Sequence, residues 1–128
     1  MPWSIVTSVE PDREVTVMAT YLPLRRYRSI PRFMQWTLRI RRQLARSDGL
    51  IGYALEAQLL RKQFWTVSAW TSKTEVGRFN RADPHAAGAA AIRPLMGPTT
   101  FVTWSVRAGD LPVPWDEVHR RVAQADAS

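Results

Sequence analysis

Residues 50–70 read LIGYALEAQLLRKQFWTVSAW. Two runs rich in apolar, β-branched and aromatic residues, Leu50–Leu60 and Gln63–Trp70, flank the pair Arg61-Lys62. That pattern predicts a β-hairpin with a short basic turn. In the second run Phe64 and Trp70 fall on one side of the pleat and Trp65 and Val67 on the other, so neither face of the resulting sheet is polar.

Upstream, Glu14–Tyr21 alternates Val15, Val17, Ala19 and Tyr21 with Thr16, Met18 and Thr20, which predicts a strand. Pro23 and the cluster Arg25, Arg26 and Arg28 lead to Ser29, a candidate N-cap, with Pro31 in the first turn. Phe33, Trp36, Ile40 and Leu44 then form an apolar stripe at helical spacing, with Arg32, Gln35, Arg39, Arg42 and Arg46 off it, and the helix ends near Ser47-Asp48-Gly49. Downstream of the hairpin, Ser72 and Glu75 form a capping box for a second helix. Asp83-Pro84 interrupts that helix, His85–Met96 restarts it, and Gly97-Pro98 stops it. Thr99–Val106 has the composition of a last strand. Asp110–Pro114 is a linker into a short helix over Trp115–Ala125. The order predicts an α+β, ferredoxin-like βαββαβ antiparallel sheet with two helices on one face and a C-terminal helix, in one domain over residues 1–128. Phe64, Trp70, Phe101 and Tyr53 alternate with Trp65, Val67, Val102 and Trp104, so the second face needs a cover. A second copy of the sheet is the expected cover, which makes the chain a homodimer with a cavity between sheet and helices.

The 128 residues include no cysteine, which excludes disulfides, thiolate metal sites and a cysteine nucleophile. No apolar run is long enough to span a bilayer, and the first residues lack the charged start and apolar core of a signal peptide, so a cytoplasmic protein without a membrane partner is expected. A net charge of +7 raises nucleic acid, an anionic surface or an anionic small molecule as partners, although only two of the 18 basic residues are lysine and the arginine bias equally suits a GC-rich genome. Gln63–Trp70 has none of the Lys, Arg or Gly of an RNA-binding third strand, so no nucleic acid partner is expected. Dinucleotide, Walker, zinc-protease and serine-hydrolase motifs are absent from the sequence.

Gly49-Leu-Ile-Gly-Tyr53, Phe64-Trp-Thr-Val-Ser-Ala-Trp-Thr-Ser72, Asp83-Pro-His85 and Phe101-Val-Thr-Trp104 together resemble the antibiotic-biosynthesis-monooxygenase-like proteins of the dimeric α/β-barrel superfamily. The resemblance runs from about Val15 to Val122. The closing Leu111-Pro-x-x-Trp115, followed by Arg120-Arg121, is similar to an actinobacterial subgroup. The resemblance implies an oxidoreductase that oxidises an aromatic or polyketide-type metabolite with O₂ and no cofactor. Haem binding or degradation is the alternative, with His85 as the candidate iron ligand; a non-catalytic or cyclase- or isomerase-type role is the next.

His85 opens the alanine-rich helix, where it is a candidate general base for a phenolic proton; packing at the helix break is the alternative. By the resemblance, Trp70 lines the pocket, and its indole N–H is a candidate donor to a developing oxyanion, against a core aromatic. Tyr53 follows Gly52, whose missing side chain makes room for a flat ligand or marks a bulge. Arg78, Asn80 and Arg93 are candidates to bind an anionic aromatic substrate, with solvated surface as the alternative for each charge. Phe64 and Trp104 are candidate pocket walls; for Trp104, as for Trp36 and Trp65, core packing is the preferred reading. His119 is expected on the solvated surface, and no metal site is expected.

Overall fold

In the computed structural model, which describes residues 3–127, strands β1 (Ser4–Ile5), β2 (Glu14–Pro23), β3 (Leu50–Gln58), β4 (Gln63–Trp70) and β5 (Thr100–Arg107) form one antiparallel sheet in the order β1-β3-β4-β2-β5. Residues 1, 2 and 128 of the expected domain lie outside the described residues. Helix α1 (Ile30–Ala45) joins β2 to β3, and α2 (Lys73–Arg81) and α3 (His85–Ile92) join β4 to β5. The interleaved pair of split βαβ units is the ferredoxin-like arrangement, in which β2 pairs with both β4 and β5. Helix α4 (Trp115–Ala127) follows the last strand.

Local chemistry explains the boundaries. Gly49 turns the chain out of α1 with φ +81, a left-handed conformation that costs glycine nothing. Lys62, the hairpin turn residue, takes φ 57 after a 3₁₀ turn over Leu59–Arg61. Ser72 caps α2, its hydroxyl accepting from the Glu75 N–H at 3.4 Å. Ser29 stands at the α1 N-cap position, but its hydroxyl makes no cap bond; Pro31 in the first turn removes one N–H that would need it.

Two features differ from the sequence expectation. The first is β1, which pairs Ser4 with Tyr53 and Ile5 with Gly52 along the edge of β3. Its two residues are too few to show any periodicity. The second concerns the face of the sheet turned away from α1, α2 and α3. It carries Val15, Val17, Ala19, Val67 and Ala69, all at most 2% exposed. Helix α4 lies on this face through Val118 and Val122, flanked by Trp3, Val9, Leu111, Val113 and Trp115. Part of the cover expected from a second copy is therefore supplied by the chain itself, while Tyr21, Trp65, Val102, Trp104 and Val106 on this face stay partly buried.

Several aromatic groups fasten that cover. The Arg121 guanidinium lies 5.1 Å from the Trp104 ring centre, and Arg121 and Arg120 both bond to Glu117, holding its carboxyl below the usual range. His119, expected in solvent, instead packs 4.8 Å from the Trp65 ring and puts Nε2 3.1 Å from a Glu56 carboxylate oxygen. Gly52 makes room not for a ligand but for Trp3: a Cβ there would stand 2.5 Å from the indole, beside the register shift between Leu50 and Gly52. Among the described residues no helix is long and apolar enough to cross a membrane.

Candidate functional site

Three helices arch over the other face of the sheet without filling the space beneath them. The result is a cavity of about 670 Å³, within the range of small-molecule sites. Its floor is β2, β3 and β4, its walls are α1 and the α2–α3 pair, and its far end is lined by Arg93 and residues 96–101. Phe33, Trp36, Tyr53, Phe79 and Phe101 give it an aromatic lining.

His85 lines this cavity from the first position of α3. Its Nδ1 lies 3.3 Å from the Asn80 carbonyl oxygen. A carbonyl only accepts, so Nδ1 carries the proton and the neutral ring presents a lone pair at Nε2. Burial pushes the His85 pKa below its usual value of 6.5, more strongly than the Asn80 carbonyl raises it. The ring is therefore neutral at pH 7. It rests on Phe79 at 4.8 Å between ring centres.

Gln43 of α1 holds the helix break that carries this histidine. Its Oε1 accepts from the His85 backbone N–H at 2.8 Å, and its Nε2 donates to the carbonyls of Phe79 and Ala82 at 3.2 and 3.3 Å. Pro84 has no N–H, so His85 offers the first free donor of α3, while Phe79 and Ala82 belong to the last turn of α2 and its cap. One amide thus serves both helix ends.

The floor is polar where a packed core would be apolar. Thr20 and Thr66 face one another across β2 and β4 and share a hydroxyl hydrogen bond. Ser68, which also lines the cavity, accepts from the Trp70 indole N–H at 2.8 Å. At this end Tyr53 pairs with Ser68 across the strands and accepts from Arg41 Nε at 3.3 Å. Asn80 donates to Met18 Sδ at 3.8 Å, leaving its own Oδ1 buried without a partner.

Of the residues singled out from sequence, His85, Tyr53, Asn80 and Arg93 share this cavity and four do not. Trp70 is wholly buried behind Phe79, with 5.1 Å between ring centres, and its N–H is committed to Ser68 rather than open to a substrate oxyanion. Phe64 is wholly buried and packs 4.4 Å from Phe33, so Phe33, not Phe64, meets the cavity. Trp104 lies on the opposite face of the sheet, under Arg121. Arg78 stands on the outer side of α2, paired with Glu75 at 3.2 Å. Sequence reasoning passed over Thr20, Thr66, Ser68, Arg25 and Arg41. The signal for the first three was available: hydroxyls occupy the same side of the pleat as Met18, Phe64 and Trp70, where a solid core would hold only apolar groups.

Fold and cavity together define a class: a ferredoxin-like sheet with an aromatic chamber under its helices. Solved structures similar to this chain in fold include a candidate antibiotic biosynthesis monooxygenase from Nitrosomonas europaea, at a TM-score of 0.63 and 13% identity over 70% of this chain and 95% of that one. SnoaB, a cofactor-independent oxygenase from Streptomyces nogalater, is similar at a TM-score of 0.59 and 19% identity, covering 79% and 99% of the two chains. A candidate antibiotic biosynthesis monooxygenase from Deinococcus radiodurans gives a TM-score of 0.63 and 13% identity over 77% and 97%. At these identities the likeness is one of fold. No protein-family model matches the chain, and no curated protein matches it by sequence.

Proposed function

We propose that the chain is a monooxygenase-like enzyme that oxidises an acidic aromatic or polyketide-type metabolite with O₂ and no cofactor. The observation that carries this reading is the placement of His85, neutral and with the proton on Nδ1, on the lining of an aromatic cavity of about 670 Å³. The cofactor-independent oxygenase SnoaB among the structural neighbours supports it at the level of fold.

The chemistry follows from the lining. His85 Nε2 takes a proton from the methylene group of an anthrone-type substrate, leaving an electron-rich enolate. The enolate passes one electron to O₂; the substrate radical and superoxide combine into a peroxide anion, which takes back the proton from His85. Loss of water from the hydroperoxide leaves a carbonyl where the methylene was, so one oxygen atom enters the product and the other leaves as water. Thr20, Thr66, Ser68 and Tyr53 supply hydroxyls to orient the oxygen atoms of the substrate, and the aromatic walls exclude bulk water. Every residue named comes from one chain, so the reading is the same for a monomer and a homodimer. Oxygen-electrode recordings with an anthrone should show uptake that His85→Ala lowers by about 10²-fold or more. Uptake equal to the buffer rate in the wild-type protein refutes the proposal.

Haem binding is a second reading that the same histidine geometry favours. A metal-bound histidine characteristically donates its other ring N–H to a carbonyl, as His85 does to Asn80. His85 would hold the iron and Arg93 a propionate; bound haem would supply O₂ activation. A haemin titration with no Soret shift, or one that His85→Ala leaves intact, excludes it.

A further inference from the structure

The net charge of the chain is not spread over its surface. Between Arg25 and Ser47 there are eight arginines and no acidic residue, whereas the rest of the chain has ten basic residues against 11 acidic ones. The whole positive excess therefore sits on α1 and the segment leading into it. All eight of these arginines are exposed, and among the described residues none is in an ion pair with a carboxylate.

This cationic surface continues into the cavity. Arg25 and Arg41, from its two ends, line the chamber together with Arg93, while no Asp or Glu does. Arg41 stands at the Tyr53–Ser68 end. Arg25 stands at the other, its Nε donating to the Met96 carbonyl at 2.7 Å beside the turn that carries Arg93. Each of these bonds uses one N–H of a guanidinium that has five. Besides these arginines the chamber is lined by apolar, hydroxyl-bearing and neutral polar groups and by no carboxylate, so a cation on its lining has no counter-ion within it. Low-dielectric walls concentrate such a field and draw in a ligand of opposite sign.

We propose that the cavity is selective for anions: its ligand is an aromatic molecule carrying a negative group held by Arg41 or by the Arg25–Arg93 end, and the arginine face of α1 speeds its arrival. This rests on the cavity as the functional site but not on oxidation. It deepens the proposed function by fixing the charge of the substrate class. A nucleic acid is the competing occupant of the same arginine face, and the cavity lining favours the small anion, because a polyanion lying along α1 leaves Arg93, across the cavity from that helix, unanswered.

A matched pair of fluorescent probes tests the proposal without turnover. 1-Anilinonaphthalene-8-sulfonate and its uncharged parent N-phenyl-1-naphthylamine differ only by the sulfonate. The sulfonate should bind the wild-type protein about tenfold more tightly than the parent at about 0.1 M salt. Arg41→Gln with Arg93→Gln should lower sulfonate affinity by about tenfold while changing that of the parent by less than about twofold. Arg32→Gln with Arg42→Gln and Arg46→Gln, outside the cavity, should slow sulfonate association several-fold and leave its dissociation rate unchanged. The proposal is overturned if the probes bind equally, or if the Arg41/Arg93 variant weakens both alike. It is also overturned if a single-stranded oligonucleotide binds at low salt and displaces neither probe while the sulfonate shows no preference. Sulfonate selectivity without O₂ uptake would leave this inference standing and refute the oxygenase reading; O₂ uptake without selectivity would do the reverse.

Discussion

Replacing Gln43 by methionine keeps the length and most of the volume of the side chain but removes both its donor and its acceptor. The two carbonyls it serves have other partners: the Ala82 N–H reaches Phe79 O at 3.2 Å and the Ala86 N–H reaches Ala82 O at 3.0 Å. Their loss is therefore the net value of a neutral hydrogen bond, about 0.5–1 kcal/mol each. The His85 N–H is different, since Gln43 Oε1 is the acceptor recorded for it, and a donor left unpaired in a partly buried site costs about 1–3 kcal/mol. Gln43→Met should destabilise the chain by about 3 kcal/mol in urea unfolding, with an unchanged m-value. It should also free the helix break, so that the His85 ring gains water and its pKa rises towards 6.5. The chain has two histidines, so a proton NMR titration reads His85 directly with His119 as internal reference. A loss of less than about 0.5 kcal/mol together with an unmoved His85 titration would refute the clamp.

Further expectations follow from burial and packing. Because the folded state lowers the His85 pKa, the unfolded chain binds more protons below pH 6.5, so stability should fall as pH drops from 6.5 through the folded value and level off beyond it; His85→Gln should flatten this limb in pH-dependent urea melts. Gly88→Val should cost about 2 kcal/mol by thermal unfolding, because a Cβ there stands 2.9 Å from Trp36 Cε3 and 3.3 Å from Ile40 Cδ1, with no slack between α1 and α3. Val118 is wholly buried between α4 and the sheet, so Val118→Asp should detach the helix and turn the protein into self-associating species in analytical ultracentrifugation; an unchanged sedimentation profile would contradict the assigned role of α4.

The fold was legible in sequence because its signals are local and repeated. Alternation in β2, β4 and β5, the stripe Phe33-Trp36-Ile40-Leu44, and the stops at Gly49, Pro84 and Gly97-Pro98 each fix one element, and their order leaves little choice of topology. The division of the strands into faces was also readable: Phe64 and Trp70 do lie opposite Trp65 and Val67. Depth was not. Whether an aromatic residue fills a core or walls a cavity depends on how far the helices stand from the sheet, which no pattern within a strand encodes. Hence Phe64 and Trp70 sit one layer behind Phe33 and Phe79. The place of α4 was hidden for a related reason, since an amphipathic helix declares an apolar side without naming the surface that will receive it. Gln43 was invisible as well, because its role depends on a helix break 42 residues away.

The position of α4 in the chain has a consequence for synthesis. A ribosome delivers β2, β3, β4 and β5 before it delivers Trp115–Ala127, so the sheet can pair while Val15, Val17 and Val67 still await Val118 and Val122. The nascent protein thus passes through a stage in which one whole side of a finished sheet is greasy and uncovered. A ribosome stall or premature stop between Arg107 and Trp115 would release the chain at its most adhesive.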